Sequence, residues 1–402
     1  MTSYISFIKK SMIITLPIII ALFGVYLDYK ACRRVINSDI NNHIKRAFVT
    51  FVAISWLLLL APVVIHLSMK GENSVIVMKS VMVMLTTYLT LSVPRMLFNV
   101  LWLPTKSRLG LRVALAFSGL LVFIFLYSAL VTRTDYKVRS VELCYDNLPA
   151  EFDGYRVVFF SDLHIGSMLA PAKELREIIA MIDKEEVDAV FFGGDITNIA
   201  HSEIDSRLLA ELSCLKAPDG VYMVLGNHDT GAYVKNSTKG YRRANMDSLE
   251  TKMSSVGWSV LRDTTVYINR GNGLIAITGI DYSDELLKFK HSMDAVSGID
   301  FGHIYNNVDD SVFNITVSHL PQLWHALCDG GYSDLTLSGH VHAMQMKIGS
   351  FSPAMFMYNE WSGLYEGANG KLYINDGIGC VGYLLRFGAC PEITVVELRC
   401  NE

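Results

Sequence analysis

Charge is scarce in this chain. Asp, Glu, Lys and Arg make up 18% of the 402 residues and hydrophobic residues 51%, and the mean hydropathy is +0.31. That balance excludes an ordinary soluble protein over the full length and puts part of the chain in a membrane. The net charge of −4 is small and makes no case for a nucleic-acid partner, so none is expected. Cysteine is present but unpatterned. Cys32, Cys144, Cys214, Cys328, Cys380, Cys390 and Cys400 show no CxxC spacing, which excludes a recognisable zinc or dithiol redox motif. An odd number cannot pair fully within one chain, and these residues read as small buried apolar side chains. Internal repeats and long low-complexity stretches are absent too.

The hydrophobic excess sits at the front. Residues 11–29 and 47–68 are each long enough to cross a bilayer, which takes about 20 apolar residues. A third apolar stretch, 75–103, is interrupted by Lys79, Pro94 and Arg95, and a fourth covers 110–131. Lys9 and Lys10 precede the first stretch as in a signal peptide, but no small-x-small cleavage site follows, so it reads as an uncleaved helix. Four spans are expected over residues 1–135, with Lys79 snorkelling to the interface. Basic residues favour the cytoplasm. The loops after spans one and three carry Lys30, Arg33, Arg34, Lys45, Arg46, Arg95, Lys106 and Arg108, and the opposite side carries Lys9, Lys10, Lys70, Arg133, Lys137 and Arg139. Eight against six puts the C-terminal domain on the external or periplasmic side of an inner or plasma membrane.

Past residue 136 the pattern changes to short alternating elements. An entry strand and a turn over 138–150 precede a strand at 155–161, a helix at 171–185, a strand at 188–194, a helix at 202–215 and a strand at 220–225. This β-α-β-α-β rhythm predicts a mostly parallel buried sheet. A loop and helix cover 231–256, strands follow at 258–270 and 273–281, and 284–311 is polar. Strand 312–318, a helix at 321–330 and strands at 334–338, 371–376 and 392–399 complete a domain over 136–402.

Five of these strands end in polar runs. They are Asp162-Leu163-His164, Gly194-Asp195, Gly226-Asn227-His228-Asp229, His319 and Gly339-His340-Val341-His342. Open α/β sheets place ligands at the carboxyl ends of their strands. Two carboxylates, several imidazoles and one amide suit a pair of divalent metals. Two such ions bring +4, and two carboxylates with a bridging hydroxide return −3, leaving a positive site for a phosphate anion. A water on such an ion has its pKa lowered toward neutrality and can serve as the nucleophile.

In this order the five motifs resemble the calcineurin-like metallophosphoesterases over residues 152–400. More narrowly, His319-Leu320-Pro321-Gln322-Leu323, Gln345, Arg386-Phe387-Gly388 and Pro391-Glu392-Ile393 resemble the membrane-associated YkuE/YaeI-like branch. The resemblance implies an α/β sandwich of mixed sheets flanked by helices, here preceded by the transmembrane bundle. It implies Asp162, His164 and His342 on one metal, Asn227, His319 and His340 on the second, and Asp195 bridging both. Manganese is the leading metal, with iron, zinc and magnesium as alternatives. His228 is implied to orient the phosphate and to donate a proton to the leaving oxygen. Many relatives support that imidazole with an aspartate where this chain has Asn198. The branch has two glycines where this chain has Ala343-Met344.

The activity implied is hydrolysis of a phosphodiester, phosphomonoester or pyrophosphate beside a bilayer, with a lipid-linked substrate as one option. A UDP-diacylglucosamine-type pyrophosphate needs a cytoplasmic site. A phospholipid, a wall-polymer phosphate or a nucleotide fits an external one. The alternative is a membrane receptor or scaffold that binds a phosphorylated ligand without turnover, and the oligomeric state is left open. Other residues read as structural. His201, His291, His303 and His325 match no motif, Asp281 ends a strand, and Trp324, Trp361 and Tyr365 read as core rather than as contacts for an acyl chain. The sequons at Asn236 and Asn314 are discounted, since Asn314 falls in a buried strand.

Overall fold

This computed structural model describes residues 2–68, 73–105, 107–282, 286, 299, 301–306, 308–309 and 311–401, without the side chains of 2–17, 66, 73 and 76. His291 and most of the polar stretch 284–311 lie outside the described residues. The chain divides into two compact units. One comprises Met1–Met69, Ser80–Val131 and Gly382–Leu385, and the other Lys70–Lys79, Thr132–Val381 and Arg386–Glu402.

The N-terminal region folds as four helices: α1 (Thr2–Ile36), α2 (Asn42–Ser68), α3 (Asn73–Trp102) and α4 (Arg108–Leu130). The third apolar stretch is therefore one continuous helix that carries Pro94 within it. Among the described residues, three segments are long and apolar enough to cross a membrane: Asn42–Ile65, Val77–Trp102 and Arg108–Thr134. The first expected span, 11–29, includes residues 11–17, whose side chains are not described.

In the first unit Arg95 points inward. Its Nε and Nη2 donate to the Asp28 carboxylate at 3.0 and 2.9 Å, and Nη1 donates to Ser55 Oγ. Asn99 Nδ2 and Trp56 Nε1 donate to the same carboxylate at 2.8 and 2.9 Å. Arg95 is thus no loop cation, and the basic-residue bias narrows to seven against six.

The second unit is built on two six-stranded sheets. The first takes β1 (Lys137–Tyr145), β2 (Tyr155–Phe160), β3 (Ala189–Phe192), β4 (Val221–Met223), β5 (Trp258–Val260) and β12 (Glu392–Cys400), in the order β1-β12-β2-β3-β4-β5. The second takes β6 (Thr264–Arg270), β7 (Gly273–Gly279), β8 (Phe313–Val317), β9 (Leu335–Ser338), β10 (Gly363–Glu366) and β11 (Lys371–Ile374), in the order β10-β11-β9-β8-β7-β6. β2 through β5 run parallel, as do β7, β8, β9 and β11, while β12, β6 and β10 each make an antiparallel pair. Strand β10 has no counterpart in the sequence reading, and the expected 258–270 strand is two strands with a turn at 261–263.

Side-chain alternation explains why β2 and β3 read as unbroken apolar runs. Val157, Phe159, Ala189 and Phe191 enter the core between the sheets, with Ile275, Ile277, Phe313, Ile315, Leu335 and Leu337. Val158, Phe160, Val190 and Phe192 face the opposite way and pack with Leu175, Ile178, Ile179 and Ile182 of helix α5 (Pro171–Ile182). Parallel strands covered on both faces need apolar residues at every position. Each fully buried Phe contributes about 1.5–3 kcal/mol through the area removed from water. Five parallel strands, β2, β3 and β4 from one sheet and β8 and β9 from the other, run out into the five polar motifs. Trp324 is buried with Cys328, Leu372 and Ile374, and Tyr365 packs against them, which leaves those aromatics as core.

Candidate metal centre

The turns after these strands are tight and partly left-handed. Asp162, His164, Asp195, His340 and His342 all have positive φ, between 43° and 73°. Non-glycine residues held there cost of order 1–3 kcal/mol each and gather where a site demands the geometry. The neighbouring glycines are required by closeness. A Cβ on Gly226 would overlap the Asp195 carboxylate, and one on Gly339 would overlap Asp162 and Ser161.

The strand ends bring all seven expected metal donors together. Near one position, His342 Nε2 lies 2.8 Å from Asp162 Oδ1, and His164 Nε2 lies 3.3 Å from His342 Nε2. Near the other, His319 Nε2 lies 3.1 Å from Asn227 Oδ1 and 3.2 Å from Asp195 Oδ2, with His340 Nδ1 3.3 Å away. Asp195 Oδ2 is also 3.7 Å from His164 Nε2, so this carboxylate stands between the two groups. Asp162, His164 and His342 could hold one ion, and Asp195, His319 and His340 another.

The donor set fits such ions. Potential donor atoms face one another in a buried place, and Asp162 Oδ1 is buried without a hydrogen-bond partner. Facing acceptors are costly unless a cation lies between them. The outer contacts set the imidazoles accordingly. His319 Nδ1 meets Gly193 O at 2.8 Å and His164 Nδ1 meets Thr197 O at 3.2 Å, so each ring donates backward through Nδ1 and turns Nε2 toward the centre.

Electrostatics agree. Burial alone would raise the Asp162 and Asp195 carboxyls, yet the surrounding histidines hold both below the usual carboxylate range. Burial lowers His164, and burial with the neighbouring His319 charge pushes His340 down to about 3. His319 goes the other way. Burial would lower it, but Asp195 and Asp162 raise it to about 9. In the metal-free protein at neutral pH, His319 is therefore protonated while His164 and His340 are neutral.

His228 stands beside this set, edge-on to His164 with ring centroids 4.8 Å apart. Its Nδ1 meets the main-chain carbonyl of Asn198 at 2.6 Å. The relatives' aspartate is thus replaced by a backbone oxygen, while the Asn198 amide donates to Cys380 O at 3.4 Å. The Asn198 loop is held by Glu203, whose carboxylate accepts from the main-chain N–H of Gly166, Asn198, Ile199 and Ala200. Burial lowers the His228 pKa, so the resting ring is neutral, with its proton on Nδ1.

Other supporting residues carried no role in the sequence reading. Asp229 accepts from the N–H of Asp195, Ile196, Thr197 and Gly226 and from Thr197 Oγ1, at 2.7–3.3 Å. Arg386 is fully buried and donates to the carbonyls of Asp376, Gly379 and Ala389. Its neighbourhood to Gly388 in a recognisable run was the one signal that pointed to it. Ala343 and Met344 have left-handed backbone at φ 45° and 49°, which strains residues that carry a Cβ. His325 pairs with Glu360 at 3.2 Å and Asp281 with Arg262 at 3.0 Å, as structural residues do.

A two-sheet α/β domain with carboxylates, imidazoles and an amide gathered at its parallel strand ends defines a metal-dependent phosphoric ester hydrolase. Residues 155–344 match the family model for calcineurin-like phosphoesterases, so the chain carries a calcineurin-like metallophosphoesterase domain. It is 28% identical to the metallophosphoesterase YkuE of Bacillus subtilis, a match covering 68% of this chain and 88% of that protein. A transmembrane protein with a metallophosphoesterase domain from Danio rerio is also 28% identical, over 65% of this chain and 57% of its own length. The UDP-2,3-diacylglucosamine pyrophosphatase LpxG of Chlamydia muridarum is 27% identical, over 62% of this chain and 85% of that one.

Two outcomes follow from this geometry. Asp229→Asn turns an NH₂ toward backbone donors, and we expect it to destabilise the metal-free fold by about 2–4 kcal/mol in chemical denaturation. An ion held by His319 would have to displace its proton, so Mn²⁺ affinity should rise with pH until it levels off near 9. Titration in weak buffer at pH 7.5 should release close to one proton from His319; no release and a flat pH dependence would remove His319 from the ligand set.

Proposed function

We propose that the chain is a membrane-anchored phosphoesterase with two divalent ions, manganese foremost, acting on a phosphodiester or pyrophosphate carried by an acylated lipid. A membrane-spanning part up to about residue 135 and a catalytic part from 136 are the working division. Asp162, His164 and His342 would hold one ion, Asn227, His319 and His340 the other, and Asp195 both. The observation that carries the reading is the convergence of seven buried or part-buried donor side chains, with Asp162 Oδ1 among them buried without a hydrogen-bond partner. When bound, the ions supply Lewis-acid activation of a water and of the phosphoryl oxygens.

The chain's own residues do the rest. Asp195 Oδ1 accepts the His228 main-chain N–H at 2.8 Å, which ties the carboxylate to the residue that meets substrate. His228 holds a proton on Nδ1 against Asn198 O and leaves Nε2 for the substrate. A phosphoryl anion beside the ring raises its proton affinity. The ring then takes up a second proton as substrate binds and returns it from Nε2 to the leaving oxygen.

Support for a lipid-linked substrate comes from the segment after the His342 turn. Ile348, Phe351, Met355 and Phe356 are all exposed there, Phe356 by 64%. Ile348 and Phe351 pair in a two-residue hairpin, and Phe351 stacks edge-on with Phe356 at 6.1 Å. Ser352 Oγ donates to Ala343 O at 2.7 Å, hooking this apolar segment to the His342 turn. A contiguous exposed apolar patch marks an interaction surface, and next to a phosphate site an acyl chain suits it. The Chlamydia relative's name specifies a diacylated substrate.

Detergent-purified protein with Mn²⁺ should hydrolyse bis-p-nitrophenyl phosphate. Asp195→Asn should cut kcat/KM at least about a hundredfold, and His228→Ala should cut kcat by about 10²–10⁴. Phe351→Ser with Phe356→Ser should raise KM for dodecyl p-nitrophenyl phosphate about tenfold and leave the soluble diester unchanged. An equal effect on both substrates would sink the acyl reading.

The membrane side is proposed as external, following the basic-residue bias. Cys214 is exposed on the catalytic part, so an impermeant maleimide should label it in right-side-out vesicles, with Cys214→Ser as the blank. Labelling only in inverted vesicles would place the domain inside and select the UDP-diacylglucosamine type of substrate.

A further inference from the structure

The turn that follows the Gly-Asn-His-Asp motif brings back a residue that no motif contains. Thr230 Oγ1 donates to Asn227 O at 2.8 Å, Ala232 N donates to Thr230 Oγ1 at 3.1 Å, and Val234 N donates to Gly231 O at 3.2 Å. Gly231 supplies the left-handed step, with φ +75°. The compact reversal places Tyr233, six residues beyond Asn227, against both functional side chains of the motif. Its ring lies parallel to His228, with centroids 4.1 Å apart and planes inclined by 10°. Its hydroxyl accepts from Asn227 Nδ2 at 2.9 Å.

The hydroxyl contact has a consequence for the metal. A side-chain amide carries a donor and an acceptor on opposite branches, and only the oxygen can face a cation. Asn227 Oδ1 is the branch that turns toward His319 Nε2, at 3.1 Å. Tyr233 takes the other branch, so its oxygen holds the amide with Oδ1 turned toward His319. The ring contact matters for His228, which stacks on the face of Tyr233 and meets His164 at 89°. With Nδ1 tied to Asn198 O, the imidazole plane is restrained.

We propose that Tyr233 is a positioning residue for this centre: its hydroxyl holds Asn227 with the amide oxygen toward the metal position, and its ring restrains the plane of His228. The inference rests on the two-metal reading above, and its two halves separate by substitution. Tyr233→Phe keeps the stack and loses the hydroxyl. Tyr233→Leu loses both.

Mn²⁺ binding to the full chain in detergent, followed by electron paramagnetic resonance, reads the first half without any turnover. Tyr233→Phe should weaken one of two bound ions about tenfold, the loss typical of a removed outer-shell partner, and leave the other unchanged. Its thermal midpoint without metal should match the wild type. A general loss of structure would instead lower that midpoint and weaken both ions. Steady-state hydrolysis of bis-p-nitrophenyl phosphate at saturating Mn²⁺ reads the second half. Tyr233→Phe should keep kcat within about threefold, while Tyr233→Leu should lose a further tenfold or more in kcat with KM little changed. Wild-type Mn²⁺ affinity in Tyr233→Phe overturns the role of the hydroxyl, and equal kcat in the two variants overturns that of the ring. If wild-type protein binds two ions without turnover, the two-metal phosphoesterase reading fails while the binding titration still decides the hydroxyl.

Discussion

The carboxylate of Asp229 is the contact on which the rest of the centre depends. The ends of β3 and β4 leave four main-chain N–H groups, those of Asp195, Ile196, Thr197 and Gly226, pointing into the interior, where water cannot serve them. Both oxygens of Asp229 are spent on these donors and on the Thr197 hydroxyl. Burial and the nearby Asp195 charge push this carboxyl up to about 7. A proton on it would nonetheless have to face a donor, so the geometry favours the carboxylate. With that knot tied, Asp195 can take its left-handed turn and Gly226 can approach it closely enough that no side chain fits. The bridging position between the donor groups is a consequence of that closeness.

The fold contributes the other half of the constraint. Two sheets present their parallel strands with a shared direction, so the carboxyl ends of β2, β3, β4, β8 and β9 finish on one edge. A core filled from both sheets holds them there. Ligands from strands so far apart in sequence meet only if both sheets keep register. Strain at five left-handed donors, and at Ala343 and Met344, is therefore stabilised by packing that lies well away from the centre.

Much of this was legible because residue type at a strand end is a strong signal. Alternation placed the strands, and the Asp, Asn and His residues closing them could be read directly. What stayed hidden was carried by the main chain or by distant pairing. The support of His228 by Asn198 is a carbonyl contact, which any residue could make, so the side chain there misled. Tyr233 reads as an ordinary aromatic in a turn until the backbone doubles back. Strand β10 is a four-residue edge with alternating exposure, too short to stand out from the loop around it. Arg95 looked like an interruption of an apolar run because its partner, Asp28, lies 67 residues earlier.

That ion pair shows what a charge inside an apolar helix requires. An isolated guanidinium or carboxylate in such surroundings is costly, and most such residues pair with one another or face an interior. Asp28 receives Nε and Nη2 of Arg95, an amide and an indole, in a group drawn from α1, α2 and α3 together. Replacing the whole group with apolar side chains could preserve the packing, since a buried pair contributes little net stability. Removing one member is a different matter, because the partner charge would stay buried and unpaired. The network thus specifies which faces of three helices meet, a choice that apolar side chains alone would leave loosely defined.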